Sequence, residues 1–533
     1  MIEWLLFFAV IIVICVFLNN ASSKFGVPVL LAFILCGMIV SNISNPGQTL
    51  QELKVAERIC TIALIFIMFY GGFGTNWNCA KGVAAEASIL ATLGVAVTAG
   101  VTGVLCHFIL GWNWVESLLM GSVVSSTDAA SVFSILRAKK LGLKNNSAPL
   151  LEMESGSNDP MSYMLTIVML SVMKGNAMGG DLVIMLVKQI ALGAVIGFAI
   201  AYGASYVMRK FSFATSGFDS LFILAVAILS YAVPTQFGGN GYLSAYIVGI
   251  YLGNSNFESK KDIVSFFDGV SSLMQVIIFF LLGMTATPSA FGRSLLPAVI
   301  IFLILLLVAR PLSILVVLAP FRKYSFKQML FISFVGLRGA ASIVFAIMAY
   351  VGNGLIEHDI FNVVFIIVLI SIALQGSLIP FAASGFNQVD ESNDVMKTFT
   401  DFSEENKMRF SQIEINAGSS WKNMMVKDLN IPKNMLFCLI VKADGERIVP
   451  NGYSLIEEGD KVVMCAAATK AEYLHIIEHK VPGDSKYIGR QIREYADKEL
   501  EQVILIKRGD KTIVPHKSTV ICADDIMFIN RKS

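Results

Sequence analysis

Long apolar runs recur along the chain from its first residues to about residue 385, and short polar stretches separate them. They lie near 3–19, 25–42, 57–77, 84–110, 113–136, 152–173, 181–208, 218–236, 240–254, 263–285, 290–319, 327–351 and 358–384. Apart from 240–254, each is near or above the ~17 residues a helix needs to cross a hydrocarbon core. The pattern therefore predicts about thirteen transmembrane helices. The first run carries Glu3 and lacks a basic flank, so it is expected to stay as a span and not to be cleaved as a signal peptide.

After Phe386 the pattern changes. Residues 386–410 are polar and acidic and are expected to form a linker or a solvated helix. Beyond them, short segments alternate apolar and polar positions, which predicts strands. This part also repeats. "IVKADGERIVPNGYSLIEEGDKVVM" (440–464) aligns without gaps on "LIKRGDKTIVPHKSTVICADDIMFI" (505–529), matching Lys442 with Lys507 and Asp460 with Asp525. Two small α+β units are expected, at 411–470 and 471–533, behind a membrane domain at 1–385. The joining segment holds "HIIEH" (His475, Glu478, His479), which fits a pattern of one class of zinc peptidases if both histidines share a helix face. The plain alternative is a surface helix between the two units.

Composition agrees with a membrane protein: 533 residues, 55% hydrophobic and 15% charged, against roughly 25% charged in average soluble domains, with a mean hydropathy of +0.68. The net charge of +2 gives no reason to expect a nucleic-acid partner, and the eight cysteines include no CxxC pair. Charge does fix an expected orientation. Arg137, Lys139, Lys140, Lys144, Arg209, Lys210, Lys260, Lys261, Arg322 and Lys323 all fall in one set of alternate loops, whereas the other set holds little beyond Lys54, Lys174 and Arg293. The positive-inside rule puts the first set in the cytoplasm, with the N-terminus outside and the C-terminus inside.

A charge at the centre of a spanning helix costs roughly 2.5–3.5 kcal/mol on insertion scales, so a retained one needs a partner or a function. Four places stand out: "SSTDAAS" (125–131), "ESGSNDP" (154–160), "ARP" (309–311) and "GLRGA" (336–340). Thr127 and Asp128 are residues that cap helices, so a Thr-Asp pair in mid-span reads as a broken helix whose second half starts there. Glycines flank Arg338 seven spans later. An odd offset reverses direction, which is what an inverted repeat requires, with spans one to six matched to eight to thirteen. A tight helix contact is the simpler use of those glycines.

These segments, with "GNGYLSAYIVGIYLGN" (239–254), resemble the signature segments of NhaP-type monovalent cation:proton antiporters, in the same order and the expected spans. The resemblance covers residues 1 to about 385. Each tail unit resembles the C-terminal domain of the regulators of potassium conductance, and the combination is similar to the potassium/proton branch of that antiporter family. The resemblance implies a polytopic α-helical membrane protein with discontinuous crossing helices, followed by small α+β cytosolic domains. It implies exchange of K+, or alternatively Na+, for H+ by alternating access, in a homodimer of the inner (plasma) membrane and with no enzymatic activity. The tail would act as a sensor for a small ligand, a nucleotide such as cyclic di-AMP.

Carried over residue by residue, the resemblance places exchange on Asp159, with Ser155 and the Thr127 backbone carbonyl as oxygen ligands. Asn158 stands where an electrogenic relative would have a second aspartate, so exchange of one cation for one proton is implied. Asp128 is expected to offset the exposed helix end. Glu154 is expected to pair with Arg338, and Arg310 to serve as scaffold. Many relatives carry an acidic residue where this chain has Tyr70. A gated potassium channel is the alternative of another class, but the carbonyl filter "TVGYG" is absent from the sequence.

Overall fold

The computed structural model describes residues 29–44, 50–390 and 408–531, apart from short stretches such as 176–178, 212–215, 353–355, 430–434, 468–475 and 496–500, together with 13–15 and 17. Apart from those four residues, the span expected at 3–19 lies outside the described residues, as do residues 391–407 of the linker. The chain divides into two compact units, Met1–Glu404 and Glu405–Ser533.

The first unit is a bundle of apolar helices: α1 (Val29–Ser44), α2 (Leu50–Gly74), α3 (Ala84–Leu110), α4 (Trp114–Val123), α5 (Ala129–Ala138), α6 (Ser147–Met173) and α7 (Gly180–Lys210). They are followed by α8 (Ser216–Gln236), α9 (Gly241–Gly253), α10 (Lys260–Thr285), α11 (Phe291–Phe321), α12 (Phe326–Phe334), α13 (Ala340–Gly352) and α14 (Ile360–Gly385). Six of these are long and apolar enough to cross a membrane unaided. The remainder include the halves of two interrupted spans, α4/α5 and α12/α13, which break at 124–128 and 335–339, where the sequence pattern placed the breaks.

The two halves of the unit share one irregularity. α3 contains a π-bulge at Leu90–Gly94 and α11 one at Leu305–Ala309, and each lies in the span before a broken one. The core between the helices is aliphatic and aromatic, with Ile34, Leu64, Leu119, Ile278, Ile343 and Val364 all essentially buried. Where backbones must approach, glycine permits it. A side chain at Gly249 of α9 would strike the Phe69 carbonyl of α2, and one at Gly72 of α2 would strike the Tyr246 carbonyl of α9.

The start of the expected linker is structured. Residues Val389–Asp390 (β2) pair antiparallel with Gly142–Leu143 (β1), and the Gln388 carbonyl accepts from Lys144 N–H at 2.9 Å.

The second unit holds two sheets built on one plan. The first is ordered β3-β8-β5-β6, from Met408–Glu414 (β3), Met435–Val441 (β5), Arg447–Ile448 (β6) and Lys461–Ala467 (β8), with the small ladder Met424–Met425 (β4) and Leu455–Ile456 (β7) beside it. The second is ordered β9-β12-β10-β11, from Ile476–Lys480 (β9), Glu501–Arg508 (β10), Lys511–Ile513 (β11) and Ile526–Arg531 (β12). Among the described residues the units are mostly strand, with a short helix at Ile492–Tyr495.

Two sequence expectations change here. First, "HIIEH" is not a helix. Glu478 and His479 are consecutive residues of β9, so their side chains leave opposite faces. His475 lies outside the described residues. β9 is the edge strand of the second sheet, the counterpart of β3, and this explains its apolar pair of isoleucines.

Second, the gapless alignment slips by one residue along the first long strand. Ile440 pairs with Val462 in the first sheet, and Ile506 pairs with Met527 in the second. The second hairpin is one residue shorter, with four residues between the paired Lys507 and Thr512, against five between Val441 and Arg447. The counterpart of Lys442 is therefore Arg508, not Lys507.

The ion pairs bear this out. Lys442 Nζ bonds Asp460 at 2.9 Å, while Arg508 holds Asp525 through Nε and Nη2, both at 2.7 Å. Each aspartate is buried and also caps its turn, accepting from the Glu457 and Cys522 amides respectively. Burial pushes the Asp525 carboxyl up, but the Arg508 bonds and the Cys522 amide outweigh it and hold the group below the usual range.

Candidate functional site

The two broken spans cross, and backbone bonds tie them together. Asp128 N–H donates to the Leu337 carbonyl at 2.8 Å, and a side chain at Gly339 would collide with Asp128. Only glycine allows that approach. Four helix ends thus meet inside an apolar bundle, each carrying roughly half an elementary charge.

The chain neutralises these ends from within. Asp128 is the N-cap of α5 and accepts from the Ser131 N–H at 3.2 Å and from the Ser131 hydroxyl. Arg338 covers the negative end of α4, donating from Nη1 to the Ser125 carbonyl at 2.9 Å and to the Ser126 carbonyl at 2.6 Å. Its own amide is held by Ser371 Oγ at 3.0 Å.

α6 runs beside this crossing and supplies the expected residues. Ser155 Oγ donates to the Thr127 carbonyl at 2.7 Å and accepts from the Ala129 N–H at 2.8 Å. Asn158 donates from Nδ2 to Thr127 Oγ1 at 2.5 Å and accepts from the Thr127 N–H at 3.4 Å. Donor and acceptor are used at once, which an ionised aspartate at 158 could not do. Asp159 accepts from the Ser126 hydroxyl, and among the described residues no lysine, arginine or histidine forms an ion pair with it. Pro160, next to it, accepts at its carbonyl from Asn240 Nδ2 at 2.8 Å, and Asn240 also caps α9.

Glu154 does not pair with Arg338. It lies on Arg310, held by two parallel bonds of 2.6 and 2.8 Å, with both side chains buried. Arg338 is occupied by the carbonyls of α4, whereas Arg310 follows the π-bulge in α11. Glu154 and Arg310 form a brace between α6 and α11 and do not reach the cavity described next.

Asp159, Ser155, Thr127 and Asp128 line a cavity of about 330 Å³. Other groups on its wall, Glu152, Asp268 and Arg137, were not singled out from the sequence as site residues. The signal for Glu152 and Asp268 was present, since each is a carboxylate inside an apolar span. Tyr70, at the position where the resemblance led one to look for an acid, also lines the cavity and donates to Asp268 Oδ1 at 3.4 Å. A carboxylate therefore does stand at Tyr70, supplied by α10. The cavity is large enough for several waters, and among its largely apolar walls stand hydroxyls, carbonyls and carboxylates, hard oxygen ligands of the kind that suit an alkali cation.

Residues 9–385 match the family model described as "Sodium/hydrogen exchanger, transmembrane". The chain is 40% identical over 384 residues to the K(+)/H(+) antiporter NhaP of Alkalimonas amylolytica, covering 71% of this chain and 66% of that protein. It is 33% identical over 382 residues to the K(+)/H(+) antiporter NhaP2 of Shewanella sp. strain MR-4, covering 70% and 65%. The matched region thus spans just under two thirds of these relatives' own length. Among solved structures, the sodium proton antiporter MjNhaP1 from Methanocaldococcus jannaschii superposes with a TM-score of 0.64 at 22% identity, over 70% of this chain and 99% of that one. That likeness is one of fold. With a family model matched over most of its length, and over all but the tail, this chain belongs to the sodium/hydrogen exchanger family.

Proposed function

We propose that this protein exchanges a monovalent cation, K+ before Na+, for a proton by alternating access. The observation that carries the reading is Asp159: a carboxylate without a basic partner among the described residues, on the wall of a cavity at the crossing of two broken helices. Such a group binds a proton or a cation but not both, and that competition is the exchange. The names of the 40% and 33% identical relatives support potassium as the cargo.

The cavity wall includes Arg137, in the last turn of α5, the end that the charge distribution assigns to the cytoplasm. On the other side of Asp159, one turn along α6, Tyr163 packs on Tyr242 at 4.9 Å and Phe345 at 5.8 Å. This is the arrangement of an inward-facing state closed outward by aromatic rings. A homodimer in the inner membrane, N-terminus out and C-terminus in, completes the reading. The test is cation-driven change of lumenal pH in vesicles, with K+, Na+, Rb+ and Li+ side by side. A channel would move the cation without obligatory proton movement.

Exchange should be electroneutral, since Asn158 is spent on Thr127 and a single carboxylate titrates with the cargo. A potential of about 100 mV changes a one-charge step by ~2.3 kcal/mol, roughly fifty-fold in rate. A rate that is flat against a clamped potential is expected. A steep response would reveal a second proton carrier, for which Glu152 and Asp268 are placed.

The tail is assigned to regulation, through a small ligand such as cyclic di-AMP. Removal of residues after Asp390, which keeps β2 on β1, should leave cation preference intact and displace the pH or ligand dependence. A ligand that binds one state ten-fold better shifts the balance by about 1.4 kcal/mol. If a folded, dimeric truncated protein fails to transport, the tail belongs to the transport cycle itself.

A further inference from the structure

At the opposite end of the broken span from Asp128, three side chains able to hold a metal converge. Glu116 is in the first turn of α4, its amide capped by Asn113 Oδ1 at 2.9 Å, and it is fully buried. Its carboxylate reaches across to the loop before α14, accepting from the Glu357 backbone N–H and meeting His358 Nδ1 at 2.6 Å. The exposed Glu357 carboxylate completes the group. The ligand atoms of Glu116, Glu357 and His358 all lie within 4.8 Å of one another.

The imidazole is oriented from behind. Its ring stacks on Trp112 with centroids 4.5 Å apart, and the Trp112 carbonyl is bonded by His107 Nδ1 at 2.7 Å. His107 in turn stacks on Trp114 at 4.0 Å. His107 and His358 are the two histidines that the sequence contains before residue 475, and both stand here.

The ion-pair partner of buried Glu116 among the described residues is His358. Imidazole binds a metal in its neutral form, so a metal-bound set of these three side chains brings two carboxylate charges, one of them buried, and a divalent cation cancels both. We propose that Glu116, Glu357 and His358 form a site for a divalent transition metal of the zinc class, its remaining position open to water.

The donor set favours that class. Calcium takes six to eight oxygens and magnesium keeps an octahedral shell, whereas zinc is satisfied by a mixed nitrogen and oxygen set of four. Zinc–ligand bonds of about 2.0–2.2 Å put tetrahedral ligand atoms roughly 3.3 Å apart. To reach this spacing the Glu116–His358 hydrogen bond of 2.6 Å opens and the exposed Glu357 turns inward. A metal here ties the start of α4 to the loop entering α14. Because α4 ends at the carbonyls that Arg338 holds, the tie bears on the same broken span as the cavity.

The full-length protein, stripped of metal in detergent, is titrated with Zn2+ against a chromophoric chelator and with Co2+ by visible absorption. One saturable Zn2+ per chain is expected, with an intense tetrahedral-type Co2+ spectrum. His358→Ala and Glu357→Ala should each weaken binding at least ten-fold and abolish the spectrum, and His479→Ala should leave both unchanged. Glu357 is exposed, so its variant keeps the test open if changes nearer the buried Glu116 disturb folding. Absence of saturable binding, unaltered binding in His358→Ala, or loss of binding in His479→Ala would each overturn the proposal.

Discussion

Replacing Asp159 by asparagine is expected to reduce cation-driven proton movement to background while the protein still folds and inserts. Asparagine has nearly the same shape, and its carbonyl can still accept from the Ser126 hydroxyl. No ion pair is lost, because the carboxylate has none among the described residues. What disappears is the ability to release a proton and to present a negative charge to a cation. Asp159→Glu keeps both and should retain a fraction of the activity, limited by the extra methylene in a packed wall. Size-exclusion and thermal-unfolding profiles close to wild type, beside flat lumenal pH traces, are the expected pair of results. Normal proton movement in the asparagine variant would remove Asp159 from its role.

The largest stability effect is expected at Arg310. Replacing it with alanine leaves Glu154 buried and unpaired, which costs about 3–5 kcal/mol where such pairs are broken on one side. Domains are stable by only about 5–15 kcal/mol, so the variant should unfold at a much lower temperature or fail to accumulate. The paired change Arg310→Met with Glu154→Met removes both charges and keeps the volume, and should recover most of the loss. Arg310 Nε is already buried without a partner among the described residues, so the pair is an imperfect one to keep. Thermal unfolding in detergent decides the matter. A wild-type profile for Arg310→Ala would mean that the Glu154–Arg310 brace contributes nothing.

The spans were legible because an apolar run of about twenty residues has few other uses. The breaks were legible because capping residues and glycines in mid-span have a physical purpose. Partner choice was not. A buried charge announces that it needs a partner, but the π-bulge at Leu305–Ala309 that precedes Arg310 has no sequence signature. The cavity carboxylates Glu152 and Asp268 were visible as charges in apolar spans, yet only the folded bundle brings them beside Asp159. In the tail, "HIIEH" matched a helical pattern, but from Ile476 on its pairing with β12 makes it a strand. The one-residue slip between the two sheets depends on hairpin length, which a gapless alignment cannot register.

The central claim is that cation and proton compete for one carboxylate, and proton release on cation binding measures it directly. The purified protein is titrated with K+ or Na+ in buffers of different ionisation enthalpy, over a series of pH values. The account predicts that proton release approaches one per cation as the pH falls, while the apparent affinity weakens in step and Asp159→Asn releases none. Cation binding without proton release at any pH, or unchanged release from Asp159→Asn, would contradict it.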